Sequence, residues 1–301
     1  MDTSTERADP SQLVFVVGTG RCGSTLVHEV VARHHDVGFI SNIDDAVPLL
    51  PSSGRWNQAL YEHLPPALSK KGRLRYAPSE AYRLLEREVS PVLSFSSRDL
   101  LAEDVTPWLS GQLHSFFDSR MAAQGKPVFL HKFTGWPRIG LLHGIFPDAT
   151  FIHIVRDGRA VVNSWLQMPW WSGYRGPEQW GLGPLTADEQ AEFDESGRSF
   201  VVLAAIGWKI LMRAYASAES LIPPSQYLSL RYEDIVGDPT GQFGSLLDFA
   251  GLERTPQFAK ALDRYTFGSS RTEAFRRDLD AVSIQRLNDS LQAQLEALGY
   301  H

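Results

Sequence analysis

Residues 18–25, GTGRCGST, bring glycines, one arginine and two hydroxyls together directly after the apolar run LVFVV. Glycines let backbone N–H groups converge on an anion, and the start of a following helix adds partial positive charge. The nucleotide triphosphatase pattern G-x-x-x-x-G-K-[ST] needs a lysine after its last glycine to reach the outer phosphates. Here Gly23 is followed by Ser24 and Thr25, and the only cation inside the loop is Arg21. The loop therefore suits a phosphorylated ligand but lacks the central residue of triphosphate chemistry. A glycine turn that merely joins strand to helix is the simpler alternative, and Arg21 with two hydroxyls at the helix start weighs against it. A second stretch, FIHIVRDGRAVVNSW at residues 151–165, repeats the pattern. Arg156 closes an apolar strand, Asp157 can cap the next helix, and Ser164 lies two turns in, facing back toward the same edge.

Both stretches need strand, loop and helix to hold them. LVFVV reads as a strand and residues 25–34 as an amphipathic helix, with DVGFIS a second strand. From residue 51 to 126 proline, serine and glycine give way to helical patterns at 79–89 and 98–123, which predicts a helical insertion or cap. Strand PVFLHKF, helix RIGLLHGIF, strand ATFIHIV and a helix over 159–165 restore the alternation. Residues 165–198 open with tryptophans among glycines and prolines and predict an ordered loop. A helix over 201–221, strand YLSLRYEDI and helices over 241–250 and 284–298 complete the chain. Strands apolar on both faces, alternating with helices, imply an α/β fold with a central parallel sheet covered on both sides. Such sheets bind ligands at the carboxyl ends of their strands, so Arg21 and Arg156 should share one rim and meet a ligand with two separated anionic groups.

Composition narrows the options. A chain of 301 residues, 43% hydrophobic, can bury a substantial core. Its net charge of −6 argues against a general nucleic-acid binder, so a polyanionic ligand must meet a local basic pocket. The single cysteine, Cys22, excludes an internal disulfide framework and fits a reducing compartment. No Cys/His cluster has zinc-site spacing, and in HEVVARH the two histidines, His28 and His34, are six apart and point to different sides. The polar start, residues 1–12, is expected to be a frayed tail. With no secretory signal and no run of about 18 apolar residues, a soluble cytoplasmic protein with no membrane partner is expected.

On its two phosphate stretches the chain resembles the sulfotransferases that use 3′-phosphoadenosine 5′-phosphosulfate (PAPS). Their 5′-phosphosulfate loop runs roughly P-[KR]-[SA]-G-[TS]-[TS]. GRCGST matches it at Arg21, Gly23, Ser24 and Thr25, with Gly20 in place of proline and Cys22 in place of the small residue. Their 3′-phosphate motif, R-[DN]-P-[RK]-D-x-x-x-S, is matched by RDGRAVVNS at Arg156, Arg159 and Ser164, with Gly158 replacing proline. HKF with Lys132, FPDATFIHIVRD, and LRYEDIVGDP with Arg231, Tyr232 and Glu233 follow in the family's order and spread the resemblance over most of the chain. It implies a P-loop-like three-layer sandwich forming one sulfotransferase domain over residues 1–301, with PAPS as co-substrate and the bisphosphate PAP as product. The family's C-terminal element, normally glycines with a Trp-Lys or Trp-Arg pair, is present only as SSRTEAFRRDL, with Phe275 at the aromatic position. Arg271, Arg276 and Arg277 are the candidate cations there, the alternative being a solvated basic helix start.

The implied reaction is in-line, metal-independent transfer of a sulfuryl group to a hydroxyl or amine of a small or medium acceptor, possibilities that include glycans. Arg21 and Lys132 would meet the bridging oxygen and leaving phosphate, and a base must take the acceptor proton. Relatives place that base after the second strand or just past the lysine strand, which points to Asp44, Asp45 or His131. The alternatives are turn-capping aspartates and a sheet histidine facing away from Lys132. The tryptophans are expected either to wall the acceptor pocket or to anchor their loop, and Arg175 within it could meet an acceptor carboxylate. Two other functions remain open: a phosphotransferase using Arg21 in place of lysine, which EDTA would inhibit, and a non-catalytic module that binds the nucleotide.

Overall fold

The computed structural model describes residues 11–47, 53–64, 76–268 and 271–300. Residues 1–10 of the expected tail, 51–52 and 65–75 of the expected insertion, and 269–270 of the C-terminal element lie outside the described residues. Five strands form one sheet: β1 (Gln12–Gly18), β2 (Val37–Gly38), β3 (Val128–Thr134), β4 (Thr150–Val155) and β5 (Tyr227–Arg231), in the order β2-β3-β1-β4-β5. Every pairing is parallel. The chain leaves β1 toward β2 and β3 on one side and then returns to β4 and β5 on the other. The carboxyl ends of β1, β3 and β4 thus flank a switch point, where open α/β sheets form a crevice.

Strand alternation sorts the core into two layers. Phe15, Val17, Phe129, Phe133 and Phe151 pack on one face beneath the helices Pro107–Gln124 and Ile139–Ile145. Val14, Val16, Leu130, Ile152 and Ile154 pack on the other beneath Ser24–Val31 and Pro239–Phe249. Full burial of side chains of this size contributes roughly 1.5–3 kcal/mol each. A third cluster joins helices Gly158–Leu166, Phe200–Glu219 and Ala281–Ala297 through Val161, Trp165, Trp208 and Leu291. By length and composition Phe200–Glu219 is apolar enough to cross a membrane, but 61% of its most apolar stretch is buried inside the fold. Its Lys209 pairs with Glu192 at 2.7 Å.

Several boundaries differ from the sequence reading for local reasons. The strand expected over 36–41 shrinks to Val37–Gly38, because Ser41 starts a new helix, Asn42–Ala46, as its N-cap. YLSLRYEDI is strand only to Arg231; Glu233 and Asp234 then favour a helix N-terminus and Tyr232–Gly237 is helical. Residues 165–198 are not all loop. Trp165 belongs to the helix Gly158–Leu166, and Thr186 with Glu189 forms a capping box that starts the helix Ala187–Glu195. The helix expected from residue 98 begins instead at Pro107, behind the cap Thr106.

Candidate active site

The turn after β1 holds consecutive left-handed residues. Gly20 has φ 79°, Arg21 φ 58° and Gly23 φ 101°. A Cβ on Gly23 would overlap the ring of Tyr232, so the loop comes this close to the helix after β5 only with glycine there. Gly23 caps Ser24–Val31 without a side-chain hydrogen bond, leaving the helix's first N–H groups to a ligand. The Cys22 side chain turns into the core and is fully buried, so of that residue only the backbone can serve an anion.

Four cations meet around this turn. Arg21 Nε donates to Ser164 Oγ at 2.8 Å, tying the loop to the helix after β4. Arg156 Nη1 donates to the Arg21 carbonyl at 2.9 Å and its Nη2 to the Arg271 carbonyl at 2.6 Å, with the guanidinium 4.7 Å over the Tyr232 ring. Lys132 Nζ donates to Thr25 Oγ1 at 2.7 Å and stands 3.1 Å from Glu80. Burial, then the charges of Arg271 and Arg156, hold the Arg21 pKa below its usual value. Mutual repulsion that no carboxylate on Arg21, Arg156 or Arg271 relieves among the described ion pairs favours an anionic ligand. These groups, with Gly20, Ser24 and Tyr232, line a cleft of about 320 Å³.

A second cavity, of about 440 Å³, adjoins it and is walled by Trp165, Trp170, Trp171, Trp180 and Leu182. Gly20, Glu80, Thr134 and Trp170 line both spaces. Glu80 was not among the residues singled out from the sequence. It accepts from Thr134 Oγ1 at 2.8 Å, and two positions on Tyr82 receives the Thr134 N–H and donates to its carbonyl, both at 3.1 Å. That clasp carries a polar stretch of the insertion onto the end of β3. PSEAY has no motif that could have revealed it.

Residues 13–256 match the model of the sulfotransferase family. The chain belongs to that family. It is 29% identical over 266 residues to Omega-hydroxy-beta-dihydromenaquinone-9 sulfotransferase Stf3 of Mycobacterium tuberculosis, and equally to that of Mycobacterium bovis, covering 81% of this chain and 63% of the relative. The chain thus spans less than two thirds of these relatives' length. Among solved structures it resembles sulfotransferase STF9 of Mycobacterium avium, with TM-score 0.55 and 13% identity over 98% of this chain and 78% of that one. The sulfotransferase domain of the Synechococcus PCC 7002 olefin synthase gives 0.52 and 17% over 98% and 97%. The likeness is one of fold, the P-loop-like α/β sandwich of sulfotransferases.

Within this sulfotransferase-family chain, three of the residues considered as bases are placed elsewhere. Asp44 Oδ2 accepts the Ser41 N–H at 2.9 Å, the Ser41 hydroxyl at 2.8 Å and Asn57 Nδ2 at 2.6 Å, completing a capping box. Asp45 accepts the Leu84 N–H at 3.0 Å, and neither aspartate lines the cleft or the tryptophan cavity. His131 lies opposite Lys132 on β3, fully buried among Phe15, Phe117 and Phe133, and burial first, then the charges of Arg120 and Lys132, push its pKa down to about 3. None of the three reaches the cleft or the tryptophan cavity; each is engaged in capping or packing instead. Arg276 points into solvent beside Glu273 at 3.5 Å and Arg277 pairs with Asp278, so of the C-terminal arginines it is Arg271 that reaches the cleft. Arg159 is committed to Asp157 at 2.7 Å. Ligand atoms of His34, His35 and Asp36 lie within 4.8 Å of one another, but His34 Nδ1 accepts the Asp36 N–H and its Nε2 meets the Glu253 carbonyl, so both ring nitrogens are already engaged.

Proposed function

We propose that the chain transfers the sulfuryl group of PAPS to the hydroxyl of an apolar acceptor of small or medium size. The observation that carries this reading is the shared wall. A cationic cleft and a tryptophan-lined cavity meet at Glu80 and Thr134, with Lys132 3.1 Å from Glu80. The 5′-phosphosulfate lies along the turn after β1, against the free N–H groups and Arg21, and the 3′-phosphate lies toward Arg156, Ser164 and Arg271. The acceptor enters from the tryptophan side. Glu80 takes the hydroxyl proton as the new S–O bond forms. The bond between sulfur and the bridging oxygen breaks, and the electron pair leaves with the 5′-phosphate of PAP, where Lys132 and Arg21 meet the developing charge. The curated relatives are named for a hydroxylated dihydromenaquinone, an apolar alcohol, in keeping with this cavity.

The test is mass spectrometry of a panel of phenols, alcohols, amines and glycans after incubation with PAPS, with and without EDTA. A gain of one sulfuryl group that survives EDTA supports the reading. Binding of PAP with no transfer to any acceptor would instead indicate a nucleotide-binding module, and EDTA-sensitive phosphate transfer from ATP a phosphotransferase.

A further inference from the structure

The tryptophan-lined cavity also contains a buried positive charge for which the proposed transfer has no use. Arg138 is 3% exposed, yet it lines this cavity. Its Nη1 donates to the carbonyls of Thr134 at 3.1 Å and Trp136 at 2.6 Å. Nε has no hydrogen-bond partner, Nη2 makes none among the described residues, and no described carboxylate lies within ion-pair distance. The residue sits in the left-handed region at φ 55°, pinned where Asp99 accepts its backbone N–H at 2.7 Å. The Ser94 hydroxyl, on the same cavity wall, is buried and without a partner too. The Asp99 charge acts on this guanidinium without an ion pair, and the Phe133 ring lies 5.6 Å from it. A buried guanidinium with no direct ion pair is still expensive, and a brace for two carbonyls would need only one of its nitrogens.

We infer that the acceptor carries an anionic group in addition to its hydroxyl and apolar body, and that Arg138, with Ser94 lining the same cavity, receives that group. Thr134 fixes the arrangement: its side chain donates to Glu80 while its carbonyl accepts from Arg138. Hydroxyl and anion are therefore recognised on either side of one residue, and an acidic acceptor is held in a single orientation. A planar guanidinium suits a carboxylate or sulfonate better than an ammonium would. This inference rests on the acceptor occupying the tryptophan cavity, as proposed above.

The ortho, meta and para isomers of hydroxyphenylacetate, each against its methyl ester, test it. Binding is measured with PAP present by quenching of tryptophan fluorescence, so the outcome does not depend on turnover. At least one acid should bind about tenfold more tightly than its ester, the effect of one charge-assisted contact. That ratio should fall to about one in Arg138→Gln and be partly kept in Arg138→Lys, with calorimetry against PAP verifying that each variant is folded. Equal affinities for acid and ester in the native protein across all isomers would overturn the inference, whether or not the variants fold. So would a preference that survives Arg138→Gln. Failure of sulfuryl transfer to every acceptor, by contrast, would count against the proposed reaction while the affinity ratio still decides on Arg138.

Discussion

Replacing Glu80 by glutamine keeps its shape and removes its ability to accept a proton. If the carboxylate takes the acceptor proton, kcat falls by roughly 10²- to 10⁴-fold while the Kd for PAP changes little, because the phosphate groups are met by other residues. An equal loss in Asp45→Asn would contradict this assignment, since Asp45 serves backbone groups away from both spaces. Arg21 offers a separable test. It occupies a left-handed conformation at φ 58° beside two other guanidinium groups, a strain of order 1–3 kcal/mol that the fold tolerates at the anion site. Arg21→Gly should therefore hold or raise the melting temperature while weakening PAP at least tenfold, and a parallel loss of stability and affinity would refute it. At this scale the loop residues were legible because glycine, arginine and hydroxyl chemistry is local. Glu80 was not, since 54 positions separate it from Thr134 and it is the fold, through the Tyr82 clasp and the Thr134 hydroxyl, that brings them together. Asp44 and Asp45 sit away from both spaces for a related reason: acidity near a strand end equally marks a helix start.

Strands β3 and β4 each carry a histidine onto the phenylalanine-rich face. Burial pushes the pKa of His131 and of His153 down to about 3, and that of His28, in the helix after the loop, well below its usual value. An unfolded histidine titrates near 6.5, so in the window from there down to about 3 the unfolded chain binds protons that the folded one refuses. Stability is full above that window and is lost as pH falls through it, by about 1.4 kcal/mol per histidine per pH unit. Urea midpoints measured across this range should drop steeply, and His131→Leu should reduce the slope by one histidine's share. An unchanged slope would show that the ring is already protonated in the fold. Strand periodicity foretold the facing of His131 and Lys132, whereas the helices Tyr232–Gly237 and Ala187–Glu195 depended on acidic first-turn residues and on a capping box within stretches taken as strand and loop.

The whole molecule is acidic, with a net charge of −6, yet it gathers Arg21, Lys132, Arg156 and Arg271 around one cleft. Attraction of a multiply charged nucleotide should therefore be local and salt-sensitive, and the Kd for PAP should rise severalfold as the Debye length shrinks from about 10 Å to about 3 Å. A salt-independent Kd would mean that the cations are not the main contact. The parallel α/β architecture was apparent in the sequence because alternating strand and helix patterns leave few ways to stack. The meeting of two cavities was not, since it depends on how a polar insertion folds back over the sheet. One further property comes from Cys22, whose thiol is sealed beneath the turn after β1, where a Cβ on Gly18 would collide with it. As the lone thiol in the chain, it makes the protein its own timepiece: a maleimide can mark it only when the turn lifts off the sheet, so labelling speed counts those excursions and a seated nucleotide should slow the clock.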